Sequence, residues 1–507
     1  MDWAAPPTTR TRASGRAGRW GTTVRQAPAA NIAFVPTAAM LAGDFTAFAS
    51  PACNAGRQVA LRGGFVNNRI DPALFSPAAV NIARRLPSTA DPCGQITFGA
   101  QRDSNEWQGV AKVDYQWTAN HSLFGRFMQT EVDELPAWNP AGGNLLTTST
   151  AGGDRKTLAQ SVTIGDTTVL GTNGVNSLRF AFNRADLRAF REPFLDAPSV
   201  GSNVYAYVPG KLVLTVNGGF VIGQSDSIKT VLTSDSYQVS EDLTLVRGRH
   251  QVALGANVAY WKSYQELNAR AGGQFTFNGG TTGLGLADFL TGNLFRLEQG
   301  APGILPMDQT YIGLYAQDAW RVTDRVTVNG GLRWEPYFGM NVQNGSISNF
   351  SLENFRNGVK STVFTNAPAG LLYPGDAGFP DSKSGINTQW WNLSPRLGLA
   401  WDVHGDGRLA FRSSYGLAYD FPTGQYHYIN ASAAPFANRL RVEGVSFDDP
   451  YRNTVGGNPF PIPEPFPAVP YPAFGSFGTI DADINSPRVQ TWNVTLEQQF
   501  EIGRAHV

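Results

Sequence analysis

The sequence predicts an all-β fold: an antiparallel transmembrane β-barrel sheet of about eleven strands, incomplete, open and curled, with long extracellular loops. Three observations predict it. Apolar and polar residues alternate with period two through one segment after another, connections alternate between very short and very long, and Trp or Tyr marks the strand ends.

The first ribbon is GVAKVDYQW (109–117), with Ala111, Val113, Tyr115 and Trp117 on one face and Lys112, Asp114 and Gln116 on the other. A turn at Thr118–His121 leads it into SLFGRFMQTEV (122–132). Residues 161–170 and 177–190 make a second ribbon, with Leu178, Phe180 and Phe182 opposite Arg179 and Asn183. The third joins 235–246 to 250–264 through Arg247, Gly248 and Arg249, and lines up Val252, Leu254, Ala256, Val258 and Tyr260. In the fourth, LYAQDAWRVTDRVTVNGGLRWEPY (314–337), Val326, Val328, Gly330, Leu332 and Trp334 alternate with Thr327, Asn329, Gly331, Arg333 and Glu335. PRLGLAWDV (395–403), the turn HGDG and residues 408–421 form the fifth, and PRVQTWNVTLEQQF (487–500) opens a sixth.

Such ribbons fit a sheet with lipid on one side and water on the other. Val113, Phe180, Leu254, Val328 and Phe411 are expected to face lipid, and Lys112, Asp114, Asn329, Arg333, Glu335 and Arg412 the lumen. Trp117, Tyr260, Trp320, Trp334, Trp401 and Trp492 are expected at the membrane interfaces. The stretches between ribbons, about 133–157, 191–234, 265–308, 338–394 and 422–486, exceed the 12–15 or so residues that compact domains tolerate without structure. Outer-membrane barrels combine short periplasmic turns with long extracellular loops, so the expected location is the outer membrane of a Gram-negative-type bacterium.

Composition is consistent with this and excludes other classes. With 507 residues and a formal net charge of zero, the chain lacks the concentrated basic surface that a phosphate backbone demands, so no nucleic-acid partner is expected. Mean hydropathy is −0.22. No apolar run reaches the 18 or so residues of a helical span, which leaves strands as the way across.

The segments YIGLYAQDAWRVTDRVTVNGGLRWEPY (311–337), NLSPRLGLAWDVHGDGRLAFRSSYGLAYDF (392–421), GLGLADFLTG (283–292) and PRVQTWNVTLEQQF resemble the barrel of the TonB-dependent outer-membrane receptors. The resemblance is to the Oar-like branch, which carries a carboxypeptidase-regulatory-like N-terminal domain. FVPTAAMLAGDFTAF with NNRIDPALFSPAAVNIARRLPST resembles the segment following the plug in that branch, so the resemblance covers roughly residues 22–500. It implies a barrel of about 22 strands closed by a plug, importing an unknown ligand with energy passed from an inner-membrane complex through TonB. The implied partners are outer-membrane lipid, the ligand, and the TonB complex reached through a plug and N-terminal region not seen in this sequence.

The expected organisation is a non-native or disordered arm (1–20), a plug-proximal segment and extracellular loop (21–107), a partial barrel (108–500) and a tail (501–507). The tail, EIGRAHV, departs from the family, and its back-translation resembles a common short-read sequencing adapter. The chain thus reads as a fragment, expected not to close into a barrel or transport by itself.

No enzyme is expected. His121, His250, His404, His427 and His506 are scattered without metal-ligand spacing and read as surface imidazoles. There is no phosphate loop, and GLGLAD (283–288) lacks the third glycine of a dinucleotide fingerprint and opens no amphipathic helix, so no cofactor or metal is expected. Asp448, Asp449, Asp481 and Asp483 could hold Ca²⁺ but read better as solvated loop acids. Cys53 and Cys93 suggest a disulfide restraining a poorly packed external excursion. In the Pro-rich loop 459–474 the aromatics could hold a ligand, or the loop could simply be stiff. Two alternatives to a receptor stay open: a passive porin-like channel, and a soluble β-rich adhesin or carbohydrate-binding protein whose apolar faces pack on one another.

Overall fold

The computed structural model describes residues 13–26, 30–99, 102–134, 145–147, 155–189, 195–223, 230–268, 270–437, 439–462, 464–471 and 477–500. Residues 1–12 and the tail 501–507, to which the expectations about the chain's two ends apply, lie outside that set.

Twelve long strands follow one another in a single sheet: β1 (Ala13–Gln26), β2 (Arg102–Gln116), β3 (His121–Glu134), β4 (Arg155–Leu170), β5 (Gly174–Ala189) and β6 (Thr230–Arg247). They continue as β7 (His250–Leu267), β8 (Gly303–Arg321), β9 (Val326–Trp334), β10 (Leu393–Asp402), β11 (Leu409–Tyr419) and β12 (Arg488–Gln498). Each pairs antiparallel with its predecessor, and β1 and β12 are the two edges of the path. Strands β2 to β12 are those anticipated from the sequence. Strand β1 corrects, for residues 13–20, the reading of residues 1–20 as a non-native or disordered arm: they are paired, Ala13 opposite Tyr115, in a ladder that runs to Gln26 opposite Arg102. ASGRAGRWGTTVRQ lacks apolar alternation, but pairing along β2 uses the backbone donors and acceptors that every non-proline residue carries.

The register separates the faces. One row runs Val113, Gly125, Ile164, Phe180, Val239, Val258 and Ile312 across seven strands, and it is apolar throughout. Next to it, one residue along each strand, runs Lys112, Arg126, Thr163, Ala181, Gln238, Ala259 and Tyr311. Val113 and Ile164 on the apolar row are 53% and 55% exposed, so no second layer covers them. A soluble sandwich would bury that face, which removes the adhesin alternative.

Strands β6, β7 and β8 are 18, 18 and 19 residues long, whereas a tilted crossing needs about 9–11. The surplus stands beyond the hydrocarbon at the loop end. There the apolar face acquires Glu131, Asp133, Lys156, Asp186, Arg188, Asp235 and Lys262 by register. This charge explains why period two stops short of the true strand ends in the sequence.

The long connections leave from that end, and their described residues fold. A small five-stranded sheet orders Leu440–Ser446, Asn293–Gln299, Gln274–Phe277, Val213–Val216 and Val221–Ile222. In its core Phe275, Phe277, Phe289 and Phe447 pack edge to face, and Val35, Met40, Phe45 and Ile82 of the 31–98 segment belong to the same cluster. Residues 31–98 are therefore well packed, contrary to expectation, because aromatics from distant connections meet them. GLGLAD also opens a helix, Gly285–Leu290, but every residue of it is buried, so it has no polar face.

On the polar face, Tyr315 of β8 lies across Gly255 of β7 and donates to Asp242 of β6 at 2.7 Å. A Cβ at Gly255 would collide with the Tyr315 ring. Gly255→Ala should displace that ring and cost about 1–3 kcal/mol in urea unfolding from membranes; unchanged stability would show that the ring is not held there. Arginine at Phe180 or Leu254 should cost about 2–4 kcal/mol, whereas arginine at Gln238 should be tolerated. Equal sensitivity in an insertion assay would contradict the two-faced sheet.

Candidate functional site

The candidate site lies where the polar face meets the folded connections. Tyr311 and Arg333, on adjacent strands, converge with Glu335: Tyr311 Oη donates to Glu335 Oε1 at 2.5 Å and Arg333 Nε donates to the same oxygen at 2.6 Å. Ser394 Oγ donates to Glu335 Oε2 at 3.4 Å. Charge is also paired along the face, Lys112 with Asp114 at 2.7 Å, Arg179 with Asp242 at 3.4 Å and Arg412 with Glu497 at 3.6 Å. The register places Lys112, Asp114, Asn329, Arg333 and Arg412 on this one face, with Glu335 one residue past β9, but brings only Lys112 with Asp114 and Arg333 with Glu335 into contact.

Above the start of β8 lies a cavity of about 690 Å³ lined by Tyr207, Asn344, Phe364, Tyr373, Phe436 and Glu464, with Gly303 and Ile304 at its foot. Four connections build it, those between β5 and β6, β7 and β8, β9 and β10, and β11 and β12. Phe364, Tyr373 and Phe436 pack edge to face around one another, and Tyr471 Oη donates to Tyr373 Oη at 3.0 Å. The backbone N–H of Ile462 donates to Tyr207 Oη at 2.7 Å, tying the Pro-rich loop to the wall. Burial pushes the Tyr207 and Tyr373 phenols up to about 12, so both stay protonated at neutral pH. The lining offers ring faces, hydroxyls, an amide and one carboxylate, the mixture that fixes a small polar ligand by stacking and directed hydrogen bonds.

Two carboxylates brace this region. Asp376 accepts from Ser361 Oγ at 2.6 Å, Thr362 N at 2.7 Å and Tyr373 N at 2.9 Å. Burial pushes its pKa up, but the bonds from Ser361, Tyr373 and Thr362 outweigh it and hold the group below its ordinary 3.8. Glu298 takes Arg439 at 2.8 Å and Arg270 at 3.1 Å. Burial raises it, and the two guanidiniums bring it below its ordinary 4.5.

The other residues singled out from the sequence lie outside this cavity. Trp117, Trp320 and Trp401 stand on the apolar face near the short turns, and Tyr260 and Trp334 toward the loop end; Trp492 lies mid-strand beside Tyr415. Cys53 and Cys93 are joined by a disulfide that closes 40 residues. His121, His250 and His404 lie at short turns, but His427 corrects the surface reading: it is fully buried, its Nε2 3.1 Å from the Ser384 carbonyl. Burial holds its imidazole below the ordinary value. Asp448 accepts from Ser76 Oγ at 2.8 Å and Ala78 N at 3.1 Å, Asp449 accepts from Asn203, and Asp483 accepts from Asn387, so these acids join segments. Asp481 caps its own turn by accepting from Asp483 N at 2.9 Å. Of the cavity, the sequence signalled only the Pro-rich loop; Tyr207, Phe364 and Phe436 carried no local mark.

The family described as outer membrane beta barrel domain matches residues 18–504. No curated protein matches the sequence. Among solved structures, the chain is similar to the outer membrane transporter YddB from Escherichia coli (14% identity, TM-score 0.34, covering 65% of this chain and 34% of that one). It is also similar to a mutant of the ferric enterobactin receptor PfeA from Pseudomonas aeruginosa (8%, 0.37, 68% and 38%). A third is the FrpB iron transporter from Neisseria meningitidis (13%, 0.33, 65% and 42%). The chain therefore spans well under half the length of each.

The stability contributed by Asp376 should be fully present above pH 3.8, its unfolded value, and be lost as pH falls through its lower folded value. Amide exchange in residues 361–376 should accelerate there, and Asp376→Asn should make exchange fast already at neutral pH; an unaltered pH profile in that variant would contradict the bracing role. Reducing the Cys53–Cys93 bridge should destabilise residues 31–98 by about 3–4 kcal/mol while leaving exchange in β2 to β12 unchanged. Faster exchange throughout the sheet would contradict that separation.

Proposed function

The chain belongs to the outer membrane beta barrel domain family and resides in the cell outer membrane, and on that premise we propose that it is the barrel portion of a TonB-dependent receptor of the Oar-like branch. On this reading the polar face lines the lumen, a plug occupies it, and the chain imports a ligand without chemically altering it. The energy comes from the inner membrane through TonB, which the plug contacts. The observation that carries the proposal is that the described residues of the long connections fold at one end of the sheet and build an aromatic, hydrogen-bonding cavity at the head of β8. A passive channel needs only a constriction; a cavity built from four connections suits capture before transport. The resemblance of residues 311–337, 392–421 and 487–500 to that receptor branch supplies the rest.

Uptake decides the matter. Cells carrying the gene and cells deleted for it are compared on single sources of iron, cofactor, peptide and glycan, with and without an uncoupler. The expected outcome is one source whose uptake needs the gene and collapses when the inner membrane is de-energised, and which Phe436→Ala weakens at least about tenfold through lost stacking. Uptake that persists undiminished without energy would establish the passive channel instead.

A further inference from the structure

The short turns are not alike. Those joining β2 to β3 and β4 to β5, residues 117–120 and 171–173, contain no lysine or arginine. The turns β6–β7 and β8–β9 carry Arg247, Arg249, Arg321 and Arg325 against a single acid, Asp324. At β10–β11, Asp402 accepts from Gly405 N and Gly407 N, and Arg408 lies 3.8 Å from Asp406, so that turn carries no excess of positive charge.

The two arginine turns form one surface. Arg321 N donates to the Arg249 carbonyl at 2.8 Å, and Arg249 Nη1 donates to the Val322 carbonyl at 3.0 Å, so the second turn is fastened to the first. Asp324, 91% exposed, approaches Arg249 only to 3.8 Å. Among the described residues no carboxylate pairs with Arg247, Arg321 or Arg325. His250 is engaged by Asp318 at 2.6 Å and stacks on Trp320 at 5.4 Å between ring centres.

Their height identifies the environment. Trp320 is on the apolar face directly opposite His250, Arg321 follows it, Arg247 pairs across the turn with His250, and Arg325 precedes Val326 of the apolar row of β9. Arg247, Arg249 and Arg321, the last on the polar face, therefore branch from within about one residue, roughly 3.4 Å, of the level of Trp320, and Arg325 from within one residue of the level of Trp401, which Val326 faces; both rings mark the level of lipid headgroups. Arginine stems lie along the surface while their heads reach outward, and a guanidinium grips a phosphate with two parallel bonds.

We propose that the rim formed by the β6–β7 and β8–β9 turns is a binding site for the phosphate headgroups of anionic phospholipids in the leaflet facing the short turns. The site rests on the membrane placement of the sheet and is independent of the transport reading, so lipid retention and uptake can fail separately.

The test uses the protein extracted from outer membranes and placed in nanodiscs with equal amounts of phosphatidylglycerol and phosphatidylcholine, retained lipids being counted by native mass spectrometry. The wild type should hold phosphatidylglycerol over phosphatidylcholine at least about fivefold at low salt, the factor one well-placed arginine supplies, and less so at high salt. R247Q/R249Q/R321Q/R325Q should fall to parity, the four lysine replacements should keep part of the preference, and K156Q/R188Q at the far end should not change it. Soluble inorganic phosphate at millimolar concentration should not displace the lipid. If the quadruple variant fails to fold, R247Q and R325Q carry the test. Equal enrichment in wild type and glutamine variants, no enrichment in the wild type, or displacement by inorganic phosphate would overturn the proposal.

Discussion

Everything in this sheet follows from one constraint: within hydrocarbon a backbone N–H or C=O has no water to bond, and leaving it unmet costs several kcal/mol. A strand meets it only by pairing along its full crossing. The continuous registers from Ala13 opposite Tyr115 to Tyr419 opposite Arg488 are the outcome. Antiparallel neighbours are the shortest way to supply a partner at once, and every pairing between neighbours from β2 to β12 is antiparallel, whether the connection is a few residues or several dozen. The edges β1 and β12 present the backbone groups that a closed barrel pairs.

With the backbone settled, side chains divide by solvent. The apolar face can be plain, since lipid asks only for Val, Ile, Leu and Phe. The polar face must keep its charges paired within reach, and Tyr315 over Gly255, bonded to Asp242, and Arg333 over Gly313, paired with Glu335, do so where a missing Cβ leaves room for a long side chain to lie across a neighbouring strand. The connections obey the opposite rule. Free of the membrane, they bury Phe45, Phe275, Phe277, Phe289 and Phe447 in a core of ordinary globular kind.

Much of this was legible in the sequence, because period two is imposed by a solvent boundary that every crossing shares. GVAKVDYQW and VTVNGGLRW show it residue by residue. It fails at the loop ends of β4 to β7, where Lys156, Arg188, Asp235 and Lys262 stand on the nominally apolar face above the membrane and nothing demands alternation. Strand β1 was illegible for a related reason, since its partner reads its backbone and not its side chains. The lobe was hidden because its contacts join residues hundreds of positions apart, as in Ser76 with Asp448. His427 looked like a surface imidazole, and only the fold shows that its helix, Gln425–Ala431, turns it inward.

The most direct test of the two-faced sheet is spin-label accessibility along β6. Cys53 and Cys93 are already bonded to each other, so single cysteines at 236–246 can be labelled one at a time in the membrane-inserted protein. Collision with oxygen, which concentrates in lipid, should peak at positions 237, 239, 243 and 245, and collision with a water-soluble nickel chelate at 238, 240, 242 and 244. Accessibility without a period of two, or oxygen and nickel peaking at the same positions, would contradict a strand with lipid on one side and water on the other.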